Sequence, residues 1–329
     1  MTPSSERPAN TPVRLAFVGV GHFGRHHVRV AKQLPGICCV GIYDRHQGRA
    51  DEVAREFGLP ALANLEAVAE AAEAVVVATP TASHAEIAEF LLDRGRDVLI
   101  EKPITATLEE AERLIEKARA ADRILAVGHI ERHNPAVEAA LNLVSDPQFV
   151  EVHRLGVFTR RSLDVDVVLD LMIHDLQIVR GLVGRAPVEI RAVGMPVLTP
   201  TIDIANARIE FDGGCIANLT ASRVSTEKVR KCRIFGPSIY VSIDMQAQTL
   251  QAYRLSRERG HPEILPVEVP VRREEPLARE LTDFARAVAE RSSPLVPGEV
   301  GRDALVLARE ILAAIDRHRN SVGPKGKES

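Results

Sequence analysis

The chain has 329 residues with a formal net charge of -3, and 45% of its residues are hydrophobic while 26% are charged. This balance is typical of a globular protein long enough for two domains, and the charge gives no reason to expect a nucleic-acid partner. No apolar run reaches the length of a membrane span, and residues 1–12 lack the apolar core of a signal peptide. We therefore expect a cytoplasmic protein, without a membrane partner, that begins with a disordered leader over residues 1–12.

The four cysteines do not form a C-x-x-C pair, and two of them are adjacent within an apolar run. Such usage is typical of reduced thiols and predicts no metal site.

The first predicted element is the stretch from Leu15 to Gly24, in which a strand-length apolar run leads into Gly19, Gly21 and Gly24. The G-x-G-x-x-G spacing is followed by a plausible helix from His22 to Leu34, which is the context of a dinucleotide-binding turn. The helix N-terminus would offer free N–H groups to a pyrophosphate. An ordinary glycine-rich turn between a strand and a helix is the alternative.

A second apolar run, Ile37 to Tyr43, ends on Asp44, twenty residues after Gly24. An acidic residue at this distance is expected to bind the ribose hydroxyls of the cofactor. Asp44 favours NAD over NADP because a carboxylate repels a 2′-phosphate. Arg45 leaves the alternative open, since an arginine there can pair with that phosphate.

Strands and helices alternate through the next stretch of the chain. The pattern predicts helices at Gln47–Phe57, His84–Leu92 and Leu108–Ala121, and strands at Ala74–Ala78, Val98–Ile100 and Ile124–Val127. Alternation of this kind indicates an α/β fold with a parallel sheet wound on both faces. We predict an NAD-binding Rossmann domain over residues 1–128.

The pattern changes after about Asn134. A helix to Leu143, a strand at Phe149–Leu155 and an apolar helix at Val167–Val183 precede a run of strands, which are predicted at Val188–Val193, Ile202–Phe211, Cys215–Ser222, Lys228–Phe235, Ile239–Asp244, Thr249–Leu255 and Leu265–Val269. Consecutive strands with short turns predict a second, α+β domain with a large, mostly antiparallel sheet over residues 129–299. Helices at Leu277–Arg291 and Val300–His318 close the chain, and residues 300–329 form a C-terminal helix and tail.

The second domain is also expected to carry an oligomer interface. Its strands Ile202–Phe211 and Cys215–Ser222 have apolar residues that we assign to both faces, and too few helices follow to cover both. We expect a homodimer or a homotetramer.

Several polar residues fall at the carboxyl ends of predicted parallel strands, where ligands of doubly wound sheets bind. Lys102 is one of them, and Pro103 biases it towards an extended backbone; a surface lysine before a loop proline is the alternative. The predicted cofactor-binding residues are Gly19, Gly21, His22, Phe23, Gly24, Asp44, Arg45, Thr79, Pro80, His84, Glu101, Lys102 and His129.

Asp170 and His174 lie four residues apart in an apolar helix and so share one face. They are candidate catalytic residues, although the pattern taken alone is more typical of a hydrogen-bonded core histidine that Asp170 orients. Arginines bind diphosphates bidentately, and the predicted substrate-binding residues are Arg132, Asn134, Arg154, Arg160, Arg161 and Asp166. For Arg154, Arg160 and Arg161 the alternative is that each is a solvated arginine on the surface.

Read in order, GVGHFG, ATPTASH, EKP, GHIERHNPAV and D-x-x-x-H make residues 13–320 resemble the glucose-fructose oxidoreductase, inositol dehydrogenase and rhizopine catabolism family. The resemblance implies a Rossmann domain followed by a sheet domain whose open face commonly builds the oligomer. It implies that Lys102 lies beside the nicotinamide and that Asp170 and His174 complete the site. Many relatives have an acid where this chain has Gln177, which argues against simple polyol substrates.

The phrases EVHRLGVF, DVDVVLDLMIHD, DIANARIEF and NLTASRVSTEK resemble the subgroup similar to UDP-N-acetylglucosamine 3-dehydrogenase. This resemblance implies oxidation of the C3 hydroxyl of a UDP-sugar, before an aminotransferase installs an amine on a route to lipid A. His174 would then take the hydroxyl proton and Lys102 would donate to the oxygen, or the lysine would itself be the base. A dehydrogenase or reductase of a free sugar or polyol, and a non-catalytic NAD-sensing regulator, are the competing functions.

Overall fold

The computed structural model describes residues 11–159, 165–257 and 261–322, so ten residues of the predicted leader lie outside the described chain. The chain divides into two compact units, each with its own hydrophobic core. Residues up to 130 together with 275–302 form the first unit, and residues 131–274 together with those from 303 onward form the second. Among the described residues, no helix is both long enough and apolar enough to cross a membrane.

The first unit begins with alternating strands and helices, as the sequence predicts. Its elements are β1 (Val13–Val18), α1 (His22–Ala31), β2 (Ile37–Tyr43), α2 (Gln47–Phe57), α3 (Leu65–Ala71), β3 (Ala74–Val77), α4 (His84–Asp93), β4 (Asp97–Glu101), α5 (Leu108–Ala120) and β5 (Leu125–Gly128). All five strands are parallel, in the order β2-β1-β3-β4-β5. The predicted Rossmann sheet is confirmed.

Local signals explain where these helices begin and end. Thr107 and Glu110 form a reciprocal capping box at the start of α5. Gly58 ends α2 with a φ of 62°, a conformation that glycine adopts without steric cost. Helix α1 ends earlier than predicted, at Ala31, because Pro35 disfavours a helical backbone in the residue before it. Helix α3, capped by the Asn64 side chain, was not predicted.

The second unit contains an eight-stranded sheet and the helices that cover it. Its elements are α6 (Pro135–Leu143), β6 (Phe149–Leu155), a π-helical turn (Val168–Met172), α7 (Ile173–Val183), β7 (Pro187–Met195), β8 (Ile204–Phe211), β9 (Ile216–Ser222), β10 (Val229–Phe235), β11 (Ile239–Asp244), β12 (Thr249–Ser256) and β13 (Glu263–Val267). The sheet order is β13-β12-β11-β10-β6-β9-β8-β7, and the pairing of β6 with β9 is parallel. The predicted large, mostly antiparallel sheet is confirmed.

Two helices close the chain, α8 (Pro276–Glu290) and α9 (Gly298–Val322). We assigned α8 to the second domain, but its side chains Leu277, Leu281 and Phe284 belong to the core of the first unit. The helix packs against α1 and β1. The first unit is therefore built from two separate stretches of chain, which the boundaries predicted at residues 128 and 299 do not describe.

One face of the β8–β9 pair is polar, contrary to the pattern we assigned from the sequence. The buried residues alternate along both strands, and the face that they leave open carries Asn206, Arg208, Glu210, Asn218 and Thr220, with Ile204 and Ile216 at its ends. The apolar residues that we expected on both faces are confined to the ends of this open face, and the oligomer stays a prediction.

Candidate active site

The turn between β1 and α1 is shaped by its glycines. Gly19 has a φ of 82°, and a Cβ atom there would lie 2.7 Å from the carbonyl oxygen of Ala78, so only glycine fits. A Cβ atom on Gly21, by contrast, would meet nothing within 4 Å. Gly21 is the N-cap of α1 and supplies no side-chain cap, and the first turn of the helix has no acidic residue. The N–H groups at this helix end are thus arranged to receive an anion.

Asp44, at the end of β2, is tied to the glycine turn. Its carboxylate accepts hydrogen bonds from the backbone N–H groups of Val20 (3.0 Å) and His46 (2.9 Å). Arg49, on α2, approaches the same carboxylate at 3.3 Å. Asp44 is 5% exposed, so its position is fixed by the backbone that surrounds it. Arg45 is exposed, and it is Arg49 that pairs with Asp44, a contact the sequence argument missed.

The turn after β3 is joined to the turn after β4 by a buried histidine. The ring of His84 lies 2.9 Å from the carbonyl oxygen of Thr79 through Nε2 and 3.0 Å from that of Pro103 through Nδ1. Burial lowers the pKa of His84, although both hydrogen bonds oppose this shift. His84 therefore holds two cofactor-side turns together, and its ring nitrogens are occupied by backbone oxygens rather than directed at a ligand.

Lys102 follows a half-buried acid, Glu101, at the end of β4. The Glu101 carboxylate accepts a hydrogen bond from the Lys102 backbone N–H (3.2 Å) and lies 2.7 Å from Nε2 of His27. Burial alone would raise the pKa of Glu101, but the hydrogen bond with His27 and the Lys102 charge outweigh it and lower the pKa. The carboxylate can only accept, so Nε2 carries the proton. His27 thus supports the Lys102 turn. The peptide bond from Lys102 to Pro103 is cis.

These residues of the first unit suit a dinucleotide. The open backbone at Gly21 and the uncapped start of α1 would hold a pyrophosphate, and Asp44 would receive ribose hydroxyls. They lie at the carboxyl ends of β1 and β2, and the strand order reverses between β1 and β3. A reversal of this kind is where doubly wound sheets bind their ligands.

In the second unit, Asp170 and His174 lie on successive turns of one helical segment. Asp170 is part of the π-helical turn, and His174 is in the first turn of α7. Both side chains are half-buried. The sequence predicted a continuous α-helix here, whereas the structure has a π-helical turn, a feature that is rare and frequent at functional sites.

Arg154 is buried in an ion cluster. It is 3% exposed, and it donates to Asp175 through Nε (2.8 Å) and Nη2 (2.7 Å) and to Glu131 through Nη1 (2.8 Å). Burial opposes the charge of Arg154, but the two carboxylates outweigh it and raise its pKa. All three guanidinium nitrogens are occupied by protein groups. This placement contradicts the predicted diphosphate contact, and we remove Arg154 from the substrate ligands.

Asn134 is likewise a structural residue. Its Oδ1 accepts from the Ala136 backbone N–H at the start of α6, and its Nδ2 donates to the carbonyl oxygen of Met245 (2.8 Å). The side chain is 1% exposed. The same pattern of an asparagine before a proline is a helix N-cap signal, which the sequence analysis did not use.

The remaining predicted residues are placed as follows. His129 is buried, Arg132 and Asp166 are half-buried, and His22, Phe23 and Pro80 are exposed. Burial raises the pKa of Asp166. Arg160 and Arg161 lie outside the residues that the structure describes.

Three buried acids, Glu131, Asp175 and Glu280, were not among the predicted site residues. Glu131 and Asp175 surround Arg154, and Glu280 lies in α8. Asp175 directly follows His174 within an apolar helix, and a charged residue at such a position is a signal that could have been used.

Comparison with known proteins agrees with this architecture. Residues 13–129 match a family model described as an oxidoreductase family with an NAD-binding Rossmann fold, and residues 137–239 match the GFO/IDH/MocA C-terminal domain. The chain is 36% identical to UDP-N-acetylglucosamine 3-dehydrogenase of Acidithiobacillus ferrooxidans, over 92% of this chain and 97% of that protein. It is 28% identical to scyllo-inositol 2-dehydrogenase (NAD(+)) of Bacillus subtilis, over 94% and 95%.

Solved structures give the same result. A structure of UDP-N-acetylglucosamine 3-dehydrogenase from Acidithiobacillus ferrooxidans superimposes with a TM-score of 0.86, covering 93% of this chain and 99% of that one. The two-domain architecture, the glycine turn and this full-length similarity lead to one assignment. The chain belongs to the Gfo/Idh/MocA family of oxidoreductases.

Proposed function

We propose that this protein is an NAD-dependent dehydrogenase that oxidises the C3 hydroxyl of UDP-N-acetylglucosamine to a 3-keto sugar. The observation that carries the proposal is the full-length similarity, at 36% identity, to an enzyme named for that reaction. The similarity extends through both units, including the one in which this chain is expected to hold its substrate. The fold agreement with a TM-score of 0.86 supports it.

NAD is the proposed cofactor because Asp44 is held in place at the end of β2 by Val20 and His46. A fixed carboxylate accepts hydrogen bonds from ribose hydroxyls and repels a 2′-phosphate. Arg49 offsets part of this negative charge. NAD would supply the hydride acceptor.

For the chemistry we propose Lys102, His174 and Asp170. Oxidation of a secondary alcohol transfers the hydride from carbon and the proton from oxygen, so the protein must supply a base and stabilise developing alkoxide charge. An imidazole with an ordinary pKa of about 6.5 suits the base, and an ammonium group suits the alkoxide. Asp170 would orient the imidazole. The exchange of roles, with Lys102 as the base, remains the second assignment.

The substrate ligand set is smaller than the sequence suggested. With Arg154 and Asn134 placed in the interior, the proposed contacts of the UDP-sugar are Arg132 and Asp166, together with Arg160 and Arg161. Binding of the non-reacting nucleotide would position the sugar for hydride transfer, so free N-acetylglucosamine should react far more slowly.

The product of this reaction is a ketone, which an aminotransferase can convert to an amine. We propose such a partner reaction in the cytoplasm, on a route to an amino sugar of the lipid A type.

We also propose that the protein is a homodimer or homotetramer. Light scattering at micromolar concentration tests this proposal, and a monomer would contradict it.

A polyol dehydrogenase is the second candidate, and the similarity to scyllo-inositol 2-dehydrogenase over 94% of the chain favours it. Gln177, which is buried in α7, argues against it, because the family resemblance implies an acid at that position in many relatives.

The deciding experiment measures NADH formation with UDP-N-acetylglucosamine, its uronic acid, free N-acetylglucosamine, glucose and myo-inositol. A transaminase is included to remove the keto sugar. The proposal predicts turnover of the UDP-sugar and little of the free sugar. Turnover of inositol or glucose, with none on either nucleotide sugar, would establish the second candidate instead.

A further inference from the structure

Glu280 is a buried acid without a hydrogen-bond partner. It is 2% exposed, in the face of α8 that also carries Leu277, Leu281 and Phe284. Within the described ranges, neither of its carboxyl oxygens has a hydrogen-bond partner. An ionised carboxylate in such apolar surroundings is very unfavourable, and a buried group of this kind takes up a proton instead.

The titratable groups around Glu280 come from three elements. Helix α8 packs against α1, which carries His27, and against β1, whose buried side chains are apolar. Glu101, at the end of β4, and Asp283, on α8 itself, act on Glu280 through their charges, and these charges together with the larger effect of burial raise the pKa of Glu280 well above its ordinary value. The Nδ1 atom of His27 is also buried without a partner among the described residues.

Glu101 and Glu280 differ in the hydrogen bonds that stabilise a negative charge. Glu101 accepts from Nε2 of His27 and from the Lys102 backbone N–H, whereas Glu280 accepts from neither a side chain nor the backbone in the described chain. Two neighbouring carboxyl groups in a medium of low polarity do not both ionise. The anion therefore belongs on Glu101 and the proton on Glu280.

We propose that Glu280 stays protonated while Glu101 is ionised, and that Glu280 is a positioning residue for the Lys102 turn. While Glu280 is neutral, Glu101 keeps its two donors and fixes the backbone N–H of Lys102. Loss of the proton places a second negative charge beside Glu101, which repels the Glu101 carboxylate from this arrangement. The turn is thus sensitive to alkaline pH.

The sign of the effect on stability follows from proton binding. Glu280 has a higher pKa folded than unfolded, so between the two values the folded protein binds more protons than the unfolded chain. Its contribution to stability is complete below the unfolded pKa and is lost as the pH rises through the folded one. Over that interval, one such group lowers the folding equilibrium constant about tenfold per pH unit.

The test compares Glu280→Gln, which keeps the size and removes the titration, with Glu290→Gln, an exposed acid on the same helix. Denaturant unfolding and NADH binding are measured from mildly acidic to mildly alkaline pH. We expect the wild type and Glu290→Gln to lose stability and NADH affinity together as the pH rises, and Glu280→Gln to lose less of both. If all three proteins keep the same pH profile of NADH binding, the positioning role is wrong.

Infrared spectroscopy of the wild type provides a second test that does not depend on the folding of a variant. We expect a protonated carboxylic acid band at neutral pH, which disappears at alkaline pH and titrates at lower pH in Glu101→Gln. The absence of the band at neutral pH, or a titration that Glu101→Gln leaves unchanged, would overturn the proposed protonation of Glu280. Neither test uses a sugar substrate, so the result is independent of the proposed reaction.

Discussion

Two of the proposed catalytic residues, His174 and Lys102, are each adjacent in sequence to an acid, Asp175 and Glu101, but the two acids have different partners. Asp175 forms a bidentate ion pair with Arg154, whose remaining nitrogen pairs with Glu131. Glu101 instead pairs with His27, and its charge acts on Glu280, which has no hydrogen-bond partner among the described residues. Arg230 also pairs with Glu131 at 3.2 Å, so the first cluster has two cations for two acids. The second cluster has an excess of acid that a proton must balance.

The two clusters are expected to respond differently to a change in pH. The guanidinium of Arg154 keeps its charge because its two carboxylate partners raise its pKa, although burial opposes this, whereas burial raises the pKa of Asp175. Burial raises the pKa of Glu280 well above its ordinary value, so the charge of the second cluster changes as the pH rises. The Lys102 turn of the first unit is therefore expected to be sensitive to alkaline pH.

The largest expected effect is on turnover. Lys102→Met and His174→Ala should each reduce kcat by about 10² to 10⁴, because general acid–base groups contribute on this scale. NAD affinity, measured by titration, should stay near that of the wild type because neither residue is proposed to bind the pyrophosphate. A variant that keeps nearly full activity would show that its residue has no such role.

The matched cluster is tested by Arg154→Met, which leaves Asp175 buried without its cation and Glu131 with Arg230 alone. Removing one partner of a buried ion pair costs about 3 to 5 kcal/mol in the free energy of unfolding. Urea denaturation measures the loss, with Arg233→Met as the control, since Arg233 also pairs with an acid but is half exposed. A loss for Arg154→Met no greater than that of the control would mean that the cluster does not stabilise the second unit.

Most strands and helices could be predicted from the sequence, because continuous apolar runs indicate buried strands and capping residues mark the ends of helices. The strand Ile37–Tyr43 and the helix Gln47–Phe57 have the predicted bounds. The return of α8 to the first unit could not be predicted, since its apolar face fits either core equally well. The π-helical turn at Val168–Met172 also has no distinct hydrophobic pattern.

Site residues could be predicted where a sequence motif determines the backbone conformation. They could not be predicted where an ion pair with a distant residue determines what a side chain does. The glycine turn and Asp44 lie in the predicted places because glycine spacing and strand ends determine them. Arg154 was misread as a substrate ligand because its sequence position does not reveal that Asp175, twenty-one residues later, occupies its guanidinium. Pairings across such distances are a property of the fold.

The smallest expected effect is on the choice between NAD and NADP. It concerns Asp44, which belongs to neither cluster and accepts hydrogen bonds from backbone N–H groups. Asp44→Asn keeps an oxygen for the Val20 N–H and removes the charge that would repel a 2′-phosphate. One unit charge at about 4 Å in water is worth about 1 kcal/mol. The ratio of NAD to NADP affinity should therefore fall several-fold, as measured by titration with both cofactors, and an unchanged ratio would mean that Asp44 does not select NAD.

The most direct test of the proposed reaction follows the hydride. UDP-N-acetylglucosamine that carries deuterium only at C3 is incubated with the protein and NAD, and the NADH is analysed by mass spectrometry. Oxidation at C3 moves that deuterium to the nicotinamide, so the account predicts deuterated NADH. NADH formed without deuterium would show that another carbon is oxidised, and the absence of NADH with this substrate, when inositol is turned over, would contradict the proposed function.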